Sequence, residues 1–397
     1  MKRRAASAVV AVAFTAAATF AAAAPHRPDP DLVILHVDPS RSAVRATALD
    51  LEDALVIAAR LIDEARRTTE ARYAGRAEAL LESWRDRAAA SARWHVLAAD
   101  IHQYRHDYFR SLELLGRAVD LEPRNARALL MRAAIHQVQG NYPAARRDCA
   151  ALIGLSETLL GSTCLAQVLG LTGQLEGATR LLESLLKDSG ADAPPAIRSW
   201  MLSALADMHE RRGDSRSAER LLREAAVVEP HSLYVRLALA DHLLTHGRPG
   251  DAPRALDGLP LSPAVRLRIA EAEHALGEPV AVHLEHVRRA FNEAQLRGER
   301  LEQQEVARLA RLENRSSEAL AAARANWTTQ REPVDLRLLV SAAIDSRDDR
   351  TLADVRAWIA SNGYQDALVE AWLATGSRTH ETTGAGKDAV VATRASR

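Results

Sequence analysis

The sequence predicts an all-α solenoid of stacked helix hairpins, and three observations carry that expectation. Hydrophobic residues make up 47% of the 397 residues and aromatics only 4%. The apolar excess lies in Ala and Leu, which favour helix over strand. Stretches with a common rhythm begin at Ala92, Ala126, Leu159, Ser199 and Leu233, which are 34, 33, 40 and 34 residues apart. Within each, apolar residues recur at helical spacing in two segments of about a dozen residues. Gly140, Gly173, Gly213 and Gly247 break the segments, as a turn between paired helices requires. A unit of this size cannot bury its apolar face alone and must stack on its neighbours.

The elements follow in order. Lys2, Arg3 and Arg4 precede an uncharged stretch from Ala5 to Phe20, and Ala21 to Ala24 supply small residues for cleavage, so residues 1–24 read as a signal peptide. Cleavage is expected after Ala23 or Ala24. Residues 25–47, with Pro25, Pro28 and Pro30 at the start, read as a linker. Residues 48–91 form an irregular helix pair, and 92–264 the regular array. The long interval holds Lys187 to Ala196, a Gly/Pro-rich insertion. Residues 265–374 continue in looser register: Ala307 and Ala319 lie twelve apart, Leu336 to Trp358 repeats the plan with Ala353, and Gln365 to Ala374 closes the array. Terminal units are atypical because one face meets water. Residues 375–397 read as a disordered tail. After the leader no window is apolar enough to span a membrane.

Position by position, the units resemble the tetratricopeptide repeat (TPR) family. The eighth position is small in all five (Ala99, Ala133, Ala166, Ala206, Ala240), and so is the twentieth (Ser111, Ala145, Ala178, Ala218, Ala252). In that family the two meet where the paired helices cross, and only small side chains let the backbones approach. Pro123 and Pro230 follow second helices, whose propagation proline stops. The chain departs from the family at Cys149, where an aromatic is usual, and in lacking most aromatic signature positions. The resemblance implies a right-handed superhelix whose concave groove binds a protein or peptide.

Charge and motifs exclude other classes. Fifty-two basic residues balance 52 acidic ones, so no general phosphate-neutralising surface exists and nucleic acid is not expected as a partner. Phosphate loops, nucleophile elbows and zinc-protease signatures are absent, so the chain reads as no enzyme, with no cofactor and no small-molecule substrate. His102 with His106, and His242 with His246, are i,i+4 pairs that share a helix face. Without a third donor in the pattern no metal site is expected. Cys149 and Cys164 are the only cysteines. Their repeat positions put the second helix of one hairpin against the first helix of the next, which allows a disulfide in an oxidising compartment. Two small buried hydrophobes is the other reading.

The expected site is the groove. In the family the second, fifth, ninth and twelfth positions of the first helix line it. The second gives Arg93, Arg127, Leu160, Trp200 and Tyr234, and the ninth gives Asp100, Ala134, Gln167, Asp207 and Asp241. The candidate contacts are therefore Arg93, Asp100, Arg127, Gln167, Trp200, Asp207, Tyr234 and Asp241. Family members that hold acidic chaperone tails carry Asn at the ninth position and Lys at the fifth, and this chain has neither there. An aromatic column beside an acidic one implies a ligand offering an apolar surface with Arg or Lys. Alternatively, the aspartates pair with neighbouring arginines and the aromatics pack. The expected compartment is the periplasm, with secretion or a membrane anchor through residues 5–24 as alternatives. A retained anchor would make the chain a membrane-tethered scaffold, and an enzyme is the remaining rival.

Overall fold

The computed structural model describes residues 50–375. The expected leader 1–24, the linker 25–47 and all but the first residue of the tail lie outside them. Among the described residues there is no strand, and nine helix hairpins follow one another. They pair α1 (Leu51–Thr68) with α2 (Ala71–Glu82), α3 (Ala92–Tyr104) with α4 (Tyr108–Leu121), and α5 (Ala126–Val138) with α6 (Tyr142–Gly154). Next come α7 (Thr158–Leu171) with α8 (Leu175–Ser189), α9 (Pro195–Arg211) with α10 (Ser215–Val228), and α11 (Leu233–Thr245) with the one-turn α12 (Ala252–Ala255). The last three pair α13 (Pro263–Ala275) with α14 (Ala281–Leu296), α15 (Gln303–Leu312) with α16 (Ser316–Thr329), and α17 (Pro333–Asp345) with α18 (Asp349–Asn362). A final helix, α19, runs over residues 367–375.

Local chemistry sets these boundaries. Side chains of Asp107, Asn125, Asn141, Asp214, Ser232 and Ser262 each accept a hydrogen bond from a first-turn N–H, satisfying a donor that the helix cannot. Every hairpin turns through one residue of positive φ: Thr69, His106, Gly140, Gly173, Gly213, Gly247, Gly277, Asn314 and Arg347. Asn and Gly accept that conformation most readily.

The turn residue also fixes the crossing. Seven residues before and five after it lie Ala99 and Ser111, Ala133 and Ala145, Ala166 and Ala178, Ala206 and Ala218, Ala240 and Ala252, and Ala307 and Ala319. All are at most 1% exposed. In the last hairpin the same offsets from Arg347 select Val340 and Leu352, both buried, while Ala353, expected at the crossing, is exposed. A slip of one residue in the count rotates a side chain about 100° off the buried face. Replacing Ala218 with Leu is expected to overpack the α9–α10 crossing and cost about 1 to 3 kcal/mol in urea denaturation. The same change at the exposed Arg212 costs little. Equal midpoints for Ala218→Leu and wild type would refute the register.

The closing hairpin meets the middle of the array. The Arg331 N–H donates to the Val138 carbonyl at 2.7 Å. A Cβ added at Gly173 would stand 3.3 Å from the Gly363 oxygen, and one at Gly213 3.5 Å from the Ala367 Cβ. Ala133, Tyr142, Val168 and Leu171 from hairpins three and four share one apolar cluster with Leu336, Leu339, Tyr364 and Val369. Residues 331–369 thus pack across the turns of hairpins three to five. In the same cluster Cys149 on α6 faces Cys164 on α7, Cα to Cα 5.5 Å, with their sulfurs at bonding distance.

Candidate functional site

That packing borders a chamber, open to solvent on one side, of about 620 Å³, within the range of pockets that bind small molecules or a few peptide residues. First helices supply nearly all its wall, from α5 through α7, α9, α11, α13 and α15 to α17. On the regular repeats the lining includes Tyr234 at the second position, Ser203 and Leu237 at the fifth, Gln167, Asp207 and Asp241 at the ninth, and Gln137, Glu210 and Leu244 at the twelfth, together with residues at other positions such as Ala206, Met208, Arg211 and His242.

The eight expected groove residues divide into three groups. Gln167, Asp207, Tyr234 and Asp241 line the chamber. Tyr234 is 63% exposed, while Trp200 packs partly against the apolar cluster and its indole N–H donates to the Gln167 amide oxygen at 3.0 Å. Arg93, Asp100 and Arg127 lie apart from the chamber wall. Arg93 pairs with Glu52, and Asp100 accepts from both Arg66 and Arg127.

The acidic column is matched by arginine. Asp207 pairs with Arg211 at 2.8 Å, and Arg211 also donates to the Gly170 carbonyl at 2.8 Å and lies over the Tyr364 ring, 5.4 Å from its centroid. Asp241 pairs with Arg268 at 3.1 Å and Arg308 at 3.0 Å. Burial pushes the Asp241 carboxyl up, yet the two guanidiniums outweigh it and hold the group below its ordinary value. Arg268 pairs in addition with the buried Glu305, and Arg308 with Glu271 at 2.7 Å. Neutralised this way, the aspartates of the column are poor sites for a further cation.

One wall carboxylate has no such match. Glu332, beside the N-terminus of α17, makes no ion pair among the described residues. Burial first, then the charges of Asp335 and Asp207, push its carboxyl up to about 8. Asp335 is raised to about 6, chiefly by burial. It accepts the Glu332 N–H at 3.0 Å and the Asn326 side-chain amide at 2.7 Å, and the Glu332 side chain answers it in a capping box at the start of α17, with no cation beside it. Sequence reading missed Glu332 because it lies in the looser region, outside the countable repeats. The only signal available was an acid three residues ahead of Asp335 and directly before Pro333, a capping pattern.

The other expected pairs resolve differently. His102 Nδ1 lies 3.2 Å from Asp107, and His106, with φ of 56°, faces Gln330. His242 and His246 both face Glu210 at 2.8 Å.

No family model and no curated protein matches the chain. Solved structures do. A thermophilic TPR protein of Thermus thermophilus is 21% identical, covering 46% of this chain and 98% of its own, with a TM-score of 0.40. A tetratricopeptide repeat protein from Parabacteroides merdae is 13% identical over 72% of this chain and 99% of its own, with a TM-score of 0.38. Human IFIT1, solved as a dimer with m7Gppp-AAAA, is 15% identical over 76% of this chain and 70% of its own, at 0.48. At such identities likeness concerns the fold alone. The solenoid assignment rests on the nine hairpins and their buried crossings.

Proposed function

We propose that the chain is a non-catalytic interaction scaffold whose chamber takes a short peptide segment with an apolar side chain and a basic group. The observation that carries this reading is Glu332, a chamber-wall carboxyl with no cation, near the exposed ring of Tyr234. The apolar part of the ligand packs on Tyr234, Leu237 and Leu338, and its ammonium or guanidinium neutralises Glu332. This replaces the aspartate column as the cation-recognising element, since Asp207 and Asp241 are already held by arginine.

In the free protein a carboxyl near 8 is protonated at neutral pH. A bound cation lowers that value, so binding releases a proton and tightens as pH rises toward 8. The test titrates fluorescent peptides that pair an aromatic residue with Arg against the same peptides with Gln in place of Arg. Glu332→Gln should weaken the basic peptide about tenfold, the scale of one charge-assisted hydrogen bond, and abolish the pH dependence. The same substitution has a stability signature of known sign. The folded state holds the Glu332 proton between the ordinary 4.5 and about 8, so its contribution is full below that window and lost as pH rises through it. Glu332→Gln therefore raises the melting temperature at pH 8 and leaves it unchanged at pH 4. Equal affinity for the basic and neutral peptides would overturn the reading.

Location is part of the same proposal. The Lys2-Arg3-Arg4 start with its apolar run and a cysteine pair at bonding distance support export to an oxidising periplasm. No described helix is long and apolar enough to cross a membrane. Retention of residues 5–24 would make the chain a tethered scaffold, which intact mass and envelope fractionation distinguish.

A further inference from the structure

We infer that Glu210, His242 and His246 form a binding site for a first-row divalent cation, with zinc the appropriate probe. The histidine pair is spaced one helical turn apart on α11, and the third donor that the sequence pattern lacked arrives from α9. His242 Nδ1 lies 2.8 Å from Glu210 Oε2 and His246 Nε2 lies 2.8 Å from Oε1. The three donor atoms stand within 4.8 Å of one another, and the two rings have centroids 4.5 Å apart. Zinc holds nitrogen and oxygen donors at roughly 2.0 to 2.2 Å, which in tetrahedral array sets them roughly 3.3 Å apart. Side-chain rotation of at most about 1.5 Å therefore closes the site.

The donor chemistry selects the class of ion. Two imidazoles and one carboxylate suit zinc, copper, nickel or iron, and disfavour calcium and magnesium, which take oxygen donors. The surrounding backbone also favours a cation. Glu210 lies in the last turn of α9 and His246 caps the C-terminus of α11, where the carbonyl ends of both helices carry partial negative charge. The guanidinium of Arg337, which also acts on Glu210, is itself paired with Asp366 at 2.9 Å. For ligation the ring protons facing Glu210 move to the opposite nitrogens, leaving lone pairs on His242 Nδ1 and His246 Nε2. Three protein donors leave a fourth position for water or a ligand atom. Glu210 and His242 belong to the chamber wall, so that position opens toward the chamber.

The site does not depend on the peptide reading, which can be measured in chelator. Tag-free chain, stripped with chelator and dialysed, is titrated with zinc sulfate by calorimetry, and retained metal is counted by mass spectrometry. Wild type should bind one equivalent per chain. His246→Ala and Glu210→Gln should each weaken binding at least about tenfold, the lower bound for disturbing a metal site. His246 is 32% exposed in its side chain and bonds the buried Glu210, so His246→Gln, which keeps a donor for that carboxylate but offers no imidazole, is carried alongside and should also lose zinc, which separates lost ligation from lost fold. His102→Ala should bind as wild type does. Failure of wild type to retain zinc, or full binding by the Glu210→Gln/His246→Ala double variant, would overturn the assignment.

Discussion

Replacing Arg268 with alanine is expected to lower stability by about 3 to 5 kcal/mol, the range for removing one partner of a buried ionic cluster. Arg268 is 2% exposed and serves two acids, Asp241 and Glu305, on the first helices of different hairpins. Its loss leaves Glu305 buried without a cation and Asp241 with Arg308 alone. The deficit depends on pH in a definite direction. Asp241 is depressed in the folded state, so its contribution is present above its ordinary 3.8 and is lost as pH falls through the depressed value. The gap between wild type and Arg268→Ala in urea denaturation therefore narrows in acid. A triple variant, Arg268→Met with Asp241→Leu and Glu305→Met, should recover most of the loss, because the cost lies in uncompensated charge and not in missing attraction. A midpoint for Arg268→Ala within about 0.5 kcal/mol of wild type, the usual range for surface changes, would show that the cluster does not bear on stability.

The second large effect is reduction of the Cys149–Cys164 pair. A cross-link closing 15 residues restricts the unfolded chain and is worth about 3 kcal/mol. Denaturation of wild type with and without reductant measures it directly. Both sulfurs are buried, so the Cys149→Ala/Cys164→Ala variant should match or fall slightly below reduced wild type and should not respond to reductant. Identical wild-type curves in both conditions would mean that the thiols are not joined. Hairpins three and four should suffer most, and the closing hairpin with them, since all share one apolar cluster.

What the sequence made legible was local in period. Ala206 and Ala218 declared their crossing because a glycine turn between them fixed the count, and the same arithmetic located Gln167, Asp207, Tyr234 and Asp241 on the chamber wall. It failed where the count slipped by one residue, at Ala353, and where partners are distant along the chain. Nothing near Asp241 announces Arg268 or Arg308, and nothing near Gly173 announces Gly363. Such pairs arise only from the way the array curves, which accumulates small rotations over many hairpins. Glu332 and the Glu210 donor were hidden for the same reason: each acquires its chemistry from helices that the sequence places in other units.

The meeting of Gly173 with Gly363 has one more consequence. A Cβ on Gly363 would stand 3.2 Å from the Gly173 Cα, so the junction tolerates neither a side chain nor a change in the distance the chain must travel to reach it. An open repeat array gains or loses a unit with little penalty, because each unit answers only to its neighbours. Here a duplicated or deleted hairpin between residues 173 and 363 would carry the terminal turn past its seat. The number of repeats is thereby fixed by the geometry of that contact, and a variant with one hairpin duplicated or deleted between the two glycines should melt lower than one lengthened within the Lys187 to Ala196 insertion.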